Sequence, residues 1–413
     1  MRSKIVFLLI VLVCLSNCKE NSLSGFSDVS IEKDVAFLAD DELEGRQTGT
    51  EGEQQAAEYI ANRFEAMGLE PKGTNDYFQK FTFRPKTNPH QKTNYNYKDG
   101  DSTITGINVI GFLDNKAENT IIIGAHYDHL GYGAEGSLFR GENQEIHNGA
   151  DDNASGVAVM LNLVQKLQVN NTGNNYLIMA FSGEEMGLLG SNYFTKNPTI
   201  DLTRANYMLN MDMVGRLKNN NTLAVYGVGT SPILKQVVKA NNDNFNIIEN
   251  ESGIGPSDHT SFYNSEIPVL HFFTGQHEDY HKPGDDAEKL NYQGMALISD
   301  YLYQIISDLD DNGKLPFRAT KNESESVPRF KVGLGVIPDY LFDGKGMRID
   351  GISEGRPAQK AGLQKGDIVV KLGDSLVTDM MSYMRALSAF EKGDKTEVVV
   401  KRGEGEVEAQ VAF

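Results

Sequence analysis

Only two cysteines occur in the 413 residues, Cys14 and Cys18, both near the start of the chain. The rest of the chain therefore forms no disulfide, and its stability must come from core packing or bound metal rather than covalent staples. The scarcity of thiolates also excludes a structural zinc finger. A bilayer-spanning run near the start is lacking as well: the apolar stretch from Ile5 to Leu15 falls well short of the roughly 20 residues needed to cross a membrane. Basic residues are outnumbered, with 39 Lys and Arg against 57 Asp and Glu and a net charge of -18. Without a cationic stripe, a nucleic-acid partner is excluded, since such binding needs a basic footprint.

The first residues nevertheless carry an address. Arg2 and Lys4 precede the apolar run, and Leu15-Ser16-Asn17-Cys18 follows it, the order of a secretory leader. It resembles a bacterial lipoprotein signal, in which the cysteine becomes the lipidated first residue of the mature protein. Asn17 departs from the small residue usual before that cysteine. Residues 1–18 are thus expected to be a lipoprotein-type signal peptide and 19–30 a polar tether. The expected location is the cell envelope or periplasm, with the protein lipid-anchored to a bacterial membrane and touching it only through the anchor. A simple cleaved leader would also place the chain outside the cytoplasm.

Composition of 39% hydrophobic and 23% charged residues is that of an ordinary globular protein. Residues 31–312 alternate strand-like and helix-like segments, 313–327 are polar and read as a linker, and 328–413 form a separate small module. Gly52 to Met67 is amphipathic, with Ala56, Ile60, Phe64 and Met67 on one face and Gly68 as a stop. Thr120 to Ala125 is a continuous β-branched run, as in a strand covered on both faces. Tyr176–Phe181, Met208–Met211 and Pro268–Phe273 repeat that pattern, and Ser155–Gln168 reads as a helix with Val157, Leu161 and Val164 inward. The expected fold class is α/β, a sheet covered by helices on both faces, followed by a small β-rich domain.

Directly after these strands come His126-Tyr127-Asp128, Glu184-Glu185, Asp212 and Tyr280-His281, and Asp151-Asp152-Asn153 precedes the helix. Ligand sites of open α/β sheets collect at the carboxyl ends of strands. Singly, each group reads as structural: a His-x-Asp, a solvated Glu pair, an Asp turn. Together at the sheet rim they would leave buried charges unpartnered, which is costly. Two imidazoles with several carboxylates suit a pair of divalent ions about 3.5–4 Å apart bridged by one carboxylate. Zinc leads, and manganese or cobalt would accept the same ligands. Either Asp151 or Asp152 could supply the bridge.

The strings Gly124-Ala125-His126-Tyr127-Asp128-His129, Gly149-Ala150-Asp151-Asp152-Asn153-Ala154-Ser155-Gly156, Phe181 through Ser191 and Asp279-Tyr280-His281-Lys282-Pro283-Gly284-Asp285-Asp286 resemble the two-zinc aminopeptidase family of secreted bacterial metallopeptidases, whose relatives include glutamate carboxypeptidase and glutaminyl cyclase. The resemblance covers about 31–310, including Leu43-Glu44-Gly45-Arg46. Carried over residue by residue, it implies that His126 and Asp212 hold one zinc, Glu185 and His281 the other, and Asp152 bridges them. It further implies Glu184 as general base, the Tyr280 hydroxyl on the oxyanion, and Asp128 accepting a hydrogen bond from a ligand histidine. His129, His147, His259 and His277, in polar loops, are not expected as ligands. His271 reads as a core histidine, and Asp258 is expected to line the substrate site.

Gly333-Leu334-Gly335-Val336, with Gly355-Arg356-Pro357-Ala358 through Gly366-Asp367-Ile368-Val369, is similar to a bacterial PDZ domain. That resemblance implies a glycine loop holding a terminal carboxylate and a strand edge accepting an extended peptide, for substrate or partner docking. A module that only packs against the catalytic body is the plainer alternative. The expected function is an exported zinc-dependent aminopeptidase that hydrolyses N-terminal peptide bonds. Alternatives are a carboxypeptidase or dipeptidase, a glutaminyl cyclase-like acyltransferase using one zinc, and a non-catalytic PDZ binding protein.

Overall fold

A computed structural model describes residues 30–85, 95, 97–98, 100–170, 173–321, 331–339, 341–342, 344–353 and 355–413. The expected signal peptide, the tether up to residue 29 and residues 322–330 around the expected domain junction lie outside the described residues. No helix among the described residues is long and apolar enough to cross a membrane.

The larger unit is built on nine strands: β1 (Glu70–Pro71), β2 (Phe78–Phe83), β3 (Ile104–Leu113), β4 (Thr120–His126), β5 (Asn175–Phe181), β6 (Ala205–Met211), β7 (Thr222–Tyr226), β8 (Asn246–Asn250) and β9 (Val269–Phe273). They form one mixed sheet in the order β1-β3-β5-β4-β6-β9-β7-β8, with β2 also on β3. Its centre, β5-β4-β6-β9, is parallel, so the four strands end at one rim.

Alternation along these strands feeds two cores. Ile121, Ile123 and Ala125 of β4 and Tyr176, Ile178 and Ala180 of β5 face one side, where α1 (Ile31–Leu38), α2 (Glu51–Ala66) and α3 (Gly156–Asn170) pack. Ile122, Leu177 and Met179 face the other, against α4 (Leu189–Lys196). Side chains alternate with period two, so a strand covered on both faces must be apolar throughout. That is why β4 and β5 carry no polar residue between their ends.

Local signals agree with this placement. Thr50 caps α2 by accepting the N–H of Glu53, while Ala56, Ile60 and Phe64 are buried and Gly68 takes the left-handed φ of 71° that stops the helix. Helices α5 (Leu234–Ala240) and α7 (Tyr292–Leu309) bury Leu234, Val238, Ile298, Leu302, Ile305 and Ile306 in the same core as α3, and the short α6 (His259–Tyr263) joins the α4 side.

The smaller unit holds β10 (Val336–Pro338), β11 (Met347–Ile352), β12 (Ile368–Leu372), β13 (Ser375–Leu376), β14 (Lys395–Arg402) and β15 (Gly405–Ala412), all paired antiparallel. With α8 (Pro357–Lys360) and α9 (Met380–Leu387) it encloses its own core around Leu334, Val369, Tyr383 and Val398. Gly335 adopts φ 75°, and Arg356 lies where a Cβ on Gly335 would point.

The polar stretch before this unit is not a free spacer where it is described. Phe317 packs on Tyr263 at 5.4 Å between ring centroids, Arg318 donates to the Gly229 carbonyl, and Thr320 bonds the Tyr263 hydroxyl. Lys218 of the larger unit pairs with Asp350 of the smaller at 3.0 Å. Leu341 of the smaller unit lies against Gly275, in the segment that follows β9.

Candidate metal centre

The register of the central strands assembles the site. His126 ends β4 opposite Phe181, the last residue of β5, and the turn that follows delivers Glu184 and Glu185. β6 lies on the other side of β4, with Gly124 opposite Asn210, and presents Asp212 just past its end. Asp151 and Asp152 stand in the helical turn before α3. Gly149 at its head has φ 57°, and a Cβ there would fall 2.2 Å from the Asp152 carbonyl, so only glycine fits.

Five side chains converge from these separate segments. His126 Nε2 lies 3.3 Å from Asp152 Oδ1 and 3.4 Å from Asp212 Oδ1. His281 Nε2 lies 3.2 Å from Asp152 Oδ2 and 3.2 Å from Glu185 Oε2. Two donors on one tetrahedral ion at about 2.0–2.2 Å are themselves roughly 3.3 Å apart, which these distances match. Asp152 offers a different oxygen to each histidine. Asp151 turns the other way: its Oδ1 accepts the Gly215 N–H at 2.6 Å and its Oδ2 faces His277 Nε2 at 3.2 Å.

The rings are oriented by their outer nitrogens. His281 Nδ1 is 3.0 Å from the Gly136 carbonyl and His126 Nδ1 is 3.2 Å from the Asp128 carbonyl. A proton on each Nδ1 leaves the Nε2 lone pairs pointing inward. Asp128 thus faces a ligand histidine, as the resemblance implies, with its main-chain oxygen nearer to His126 Nδ1 than its carboxylate. The carboxylate, 3.7 Å from His126 Nδ1, accepts instead the Thr48 hydroxyl at 3.0 Å and the Glu184 N–H at 3.1 Å. Asp128 thus ties the His126 loop to the Glu184 turn.

Electrostatics follow from burial and crowding. Burial opposes the charged form of every group, and for Asp152 the His126 and His281 contacts win, holding its carboxyl well below the usual range. Glu185, beside His281, is held down to about 2 despite burial. Although burial would lower His281, the Glu185 and Asp152 carboxylates push it up to about 11, and Glu184 and Asp212 likewise raise His126. For Glu184 burial outweighs the attraction of His126, and with Glu185 and Asp212 close by its carboxyl is raised well above the usual range. The donor set is therefore oxygen and imidazole nitrogen, with carboxylates in excess. That chemistry fits divalent ions, which displace protons from histidine ligands on binding.

Tyr280 stacks on His281 with centroids 3.9 Å apart, and burial raises its hydroxyl well above an ordinary phenol. Other histidines fall in varied places. His129 is fully buried beside Glu185, where its Nδ1 and carboxylate oxygens of Asp152 and Glu185 form a second group close enough to hold an ion. His147 meets Ser137, His259 stacks on His271 at 4.4 Å, and His271 faces Asn210 in the core. Asp258 is wholly buried, close enough to His126 and Asp212 to feel their charges, and burial lifts its carboxyl to about 7.

Sequence reasoning missed the buried residues that hold the site from behind. The Arg46 guanidinium donates to the carbonyls of Leu38, Tyr127 at 2.7 Å, Asn148 at 2.6 Å and Gly149 at 3.1 Å. Asp285 Oδ2 accepts the N–H groups of Asp151 and Asp152 at 3.0 Å each. A lone Arg in Glu-Gly-Arg or an Asp after Pro-Gly has no periodicity to betray burial.

A parallel-centred α/β sheet with two imidazoles and three carboxylates on its rim defines a zinc-exopeptidase-type fold. Residues 108–306 match peptidase family M28 and residues 317–413 match a PDZ domain. It is 28% identical over 195 residues to the alkaline phosphatase isozyme conversion protein of Escherichia coli, covering 47% of this chain and 53% of that protein. It is 29% identical over 204 residues to a probable leucine aminopeptidase of Arthroderma otae, covering 46% and 53%. The chain thus spans about half the length of the curated relatives it matches. Among solved structures, an aminopeptidase from Aneurinibacillus is similar in fold with TM-score 0.53 and 17% identity, covering 72% of this chain and 96% of that one. A glutaminyl cyclase of Porphyromonas gingivalis has TM-score 0.53 and 18% identity, covering 68% and 97%.

Proposed function

We propose that this chain is an exported zinc-dependent aminopeptidase that removes N-terminal residues from peptides. The observation that carries the reading is the spacing of His126, Asp152, Asp212, Glu185 and His281, with Asp152 facing both histidines through different oxygens. In this reading His126 and Asp212 would hold one ion and Glu185 and His281 the other, with Asp152, rather than Asp151, as the carboxylate they would share.

Bound divalent ions would polarise the scissile carbonyl and lower the pKa of an attacking water toward about 7. The chain's own groups do the rest. Glu184, fixed through its main chain to Asp128, takes the proton of that water and returns it to the leaving amine. Burial raises its pKa above that of an ordinary carboxyl, which makes its carboxylate a stronger proton acceptor than an exposed glutamate. The Tyr280 hydroxyl stays protonated at neutral pH and is available to donate to the developing oxyanion.

Export and a lipid on Cys18 are supported by Arg2, Lys4 and the apolar run before it. Docking of a peptide carboxyl terminus at Gly333, Leu334, Gly335 and Val336 is supported by the match to a PDZ domain and by the glycine turn at Gly335. The test is hydrolysis of aminoacyl nitroanilides by the metal-loaded protein. Glu184→Gln should lower kcat by about 10²–10⁴-fold while two ions per chain remain bound. Failure of the loaded wild type to release any N-terminal residue refutes the aminopeptidase reading, and one ion per chain with cyclisation of N-terminal glutamine would point to cyclase chemistry.

A further inference from the structure

Three residues past His126, on the same loop, His129 is buried completely. Its Nδ1 lies 2.8 Å from Glu185 Oε1, the oxygen that His281 does not face, and 3.9 Å from Asp152 Oδ2. Apart from this contact, neither ring nitrogen and not Glu185 Oε1 has a hydrogen-bonding partner among the described residues. The ring is held from its other side. A Cβ on Gly149 would fall 2.5 Å from His129 Cγ, and the His129 N–H donates to the Arg46 carbonyl at 3.3 Å.

Two roles fit a buried imidazole here, and the distances separate them. Donors sharing one tetrahedral ion lie roughly 3.3 Å apart. His281 meets that spacing to both Asp152 and Glu185, at 3.2 Å each. His129 does not, being 3.9 Å from Asp152 and close only to the outward oxygen of Glu185.

We propose that His129 is a positioning residue for the second ion, a role that rests on the two-ion reading above. Its Nδ1–H fixes Glu185 Oε1, so that Glu185 presents Oε2 alone beside His281. Without that partner the carboxylate is free to rotate, and a buried oxygen is left with nothing to bond. Partners that orient a ligand in this way typically contribute 10–100-fold to metal affinity.

The test is stepwise Zn²⁺ affinity, measured by chelator competition on the full chain, for wild type, His129→Asn and His129→Phe. Phe keeps a ring of similar shape without a donor, whereas Asn keeps an N–H near the Nδ1 position. The expected result is a 10–100-fold loss for one of the two ions in the Phe variant, no comparable change for the other ion, and recovery of most of the loss in the Asn variant. In the Co²⁺-loaded chain only one of the two visible absorption components should change. A Phe variant that binds as wild type, an Asn variant poorer than Phe, or a zinc-loaded structure with Nδ1 bonded to the ion overturns the proposal alone. A wild type that binds fewer than two ions overturns the two-ion reading and this inference with it, and is told apart because no variant is needed to see it.

Discussion

Asp285 offers the sharpest test of how the site is held. It is fully buried, and its Oδ2 accepts the main-chain N–H groups of Asp151 and Asp152 while its carbonyl accepts that of Ala150 at 2.9 Å. Asp285→Ala removes the acceptor of two buried N–H groups that no water reaches easily. Each orphaned group costs about 1–3 kcal/mol, so the gross loss is roughly 2–6 kcal/mol. Part is offset, because the carboxylate itself is unfavourable where it stands: burial raises its pKa to about 6. The net expectation is therefore the lower half of that range, about 2–4 kcal/mol. His277 retains Asp151 at 3.2 Å when its 3.8 Å contact with Asp285 is lost.

The assay is the urea midpoint of the metal-free chain together with Zn²⁺ affinity. Asp285→Ala should lower the midpoint and, by releasing the turn that carries Asp152, weaken metal binding by about 10–100-fold. Asp285→Asn keeps an acceptor oxygen and should recover most of both losses. An Ala variant with unchanged midpoint and unchanged affinity, or an Asn variant no better than Ala, refutes the reasoning.

Three further outcomes are expected. Glu53 is buried under β3 and β5, accepting the Ile107 N–H at 3.0 Å, the Gly49 N–H at 2.5 Å and the Ser182 hydroxyl. Burial raises its pKa from 4.5 to about 7, so the favourable contribution of its protonated form is complete below 4.5 and is lost as pH rises through about 7. Glu53→Gln should flatten the stability profile between those values, removing a slope worth up to about 3 kcal/mol; an unchanged profile from denaturant melts at several pH values would rule this out. Chelation should lower the thermal midpoint, since ligand at 100 times its Kd stabilises by about 2.7 kcal/mol. Because His126 and His281 hold protons that metal must displace, affinity should fall as pH falls, and calorimetry in buffers of different ionisation enthalpy should show proton release.

How much of this could be read along the chain depended on whether a signal was local. The apolar runs of β4 and β5 announce strands buried on both faces, and Thr50 with Gly68 brackets α2. The strand-end positions of His126, Glu184 and Asp212 likewise follow from those runs. Nothing local distinguishes Asp151 from Asp152: both are buried acids in one turn, and only the contacts with Gly215 and His277 on one side and His126 and His281 on the other separate them. His129 was illegible for the same reason, since a histidine in a polar loop does not reveal which loop closes over it.

Composition and order alone determined the α/β class, the position of the site on the sheet rim and the chemical nature of its donors, because period-two burial and strand ends are properties of contiguous residues. Tertiary structure decided which carboxylate faces both histidines, that Asp128 meets His126 through its carbonyl, that Phe317 anchors a stretch that reads as linker, and that His129 and Asp285 support the site from behind. Those contacts join residues up to 134 positions apart, as between Asp151 and Asp285. Hydrogen bonds and burial at such separations are set by how the loops close over the sheet, and a one-dimensional pattern carries no record of that closure.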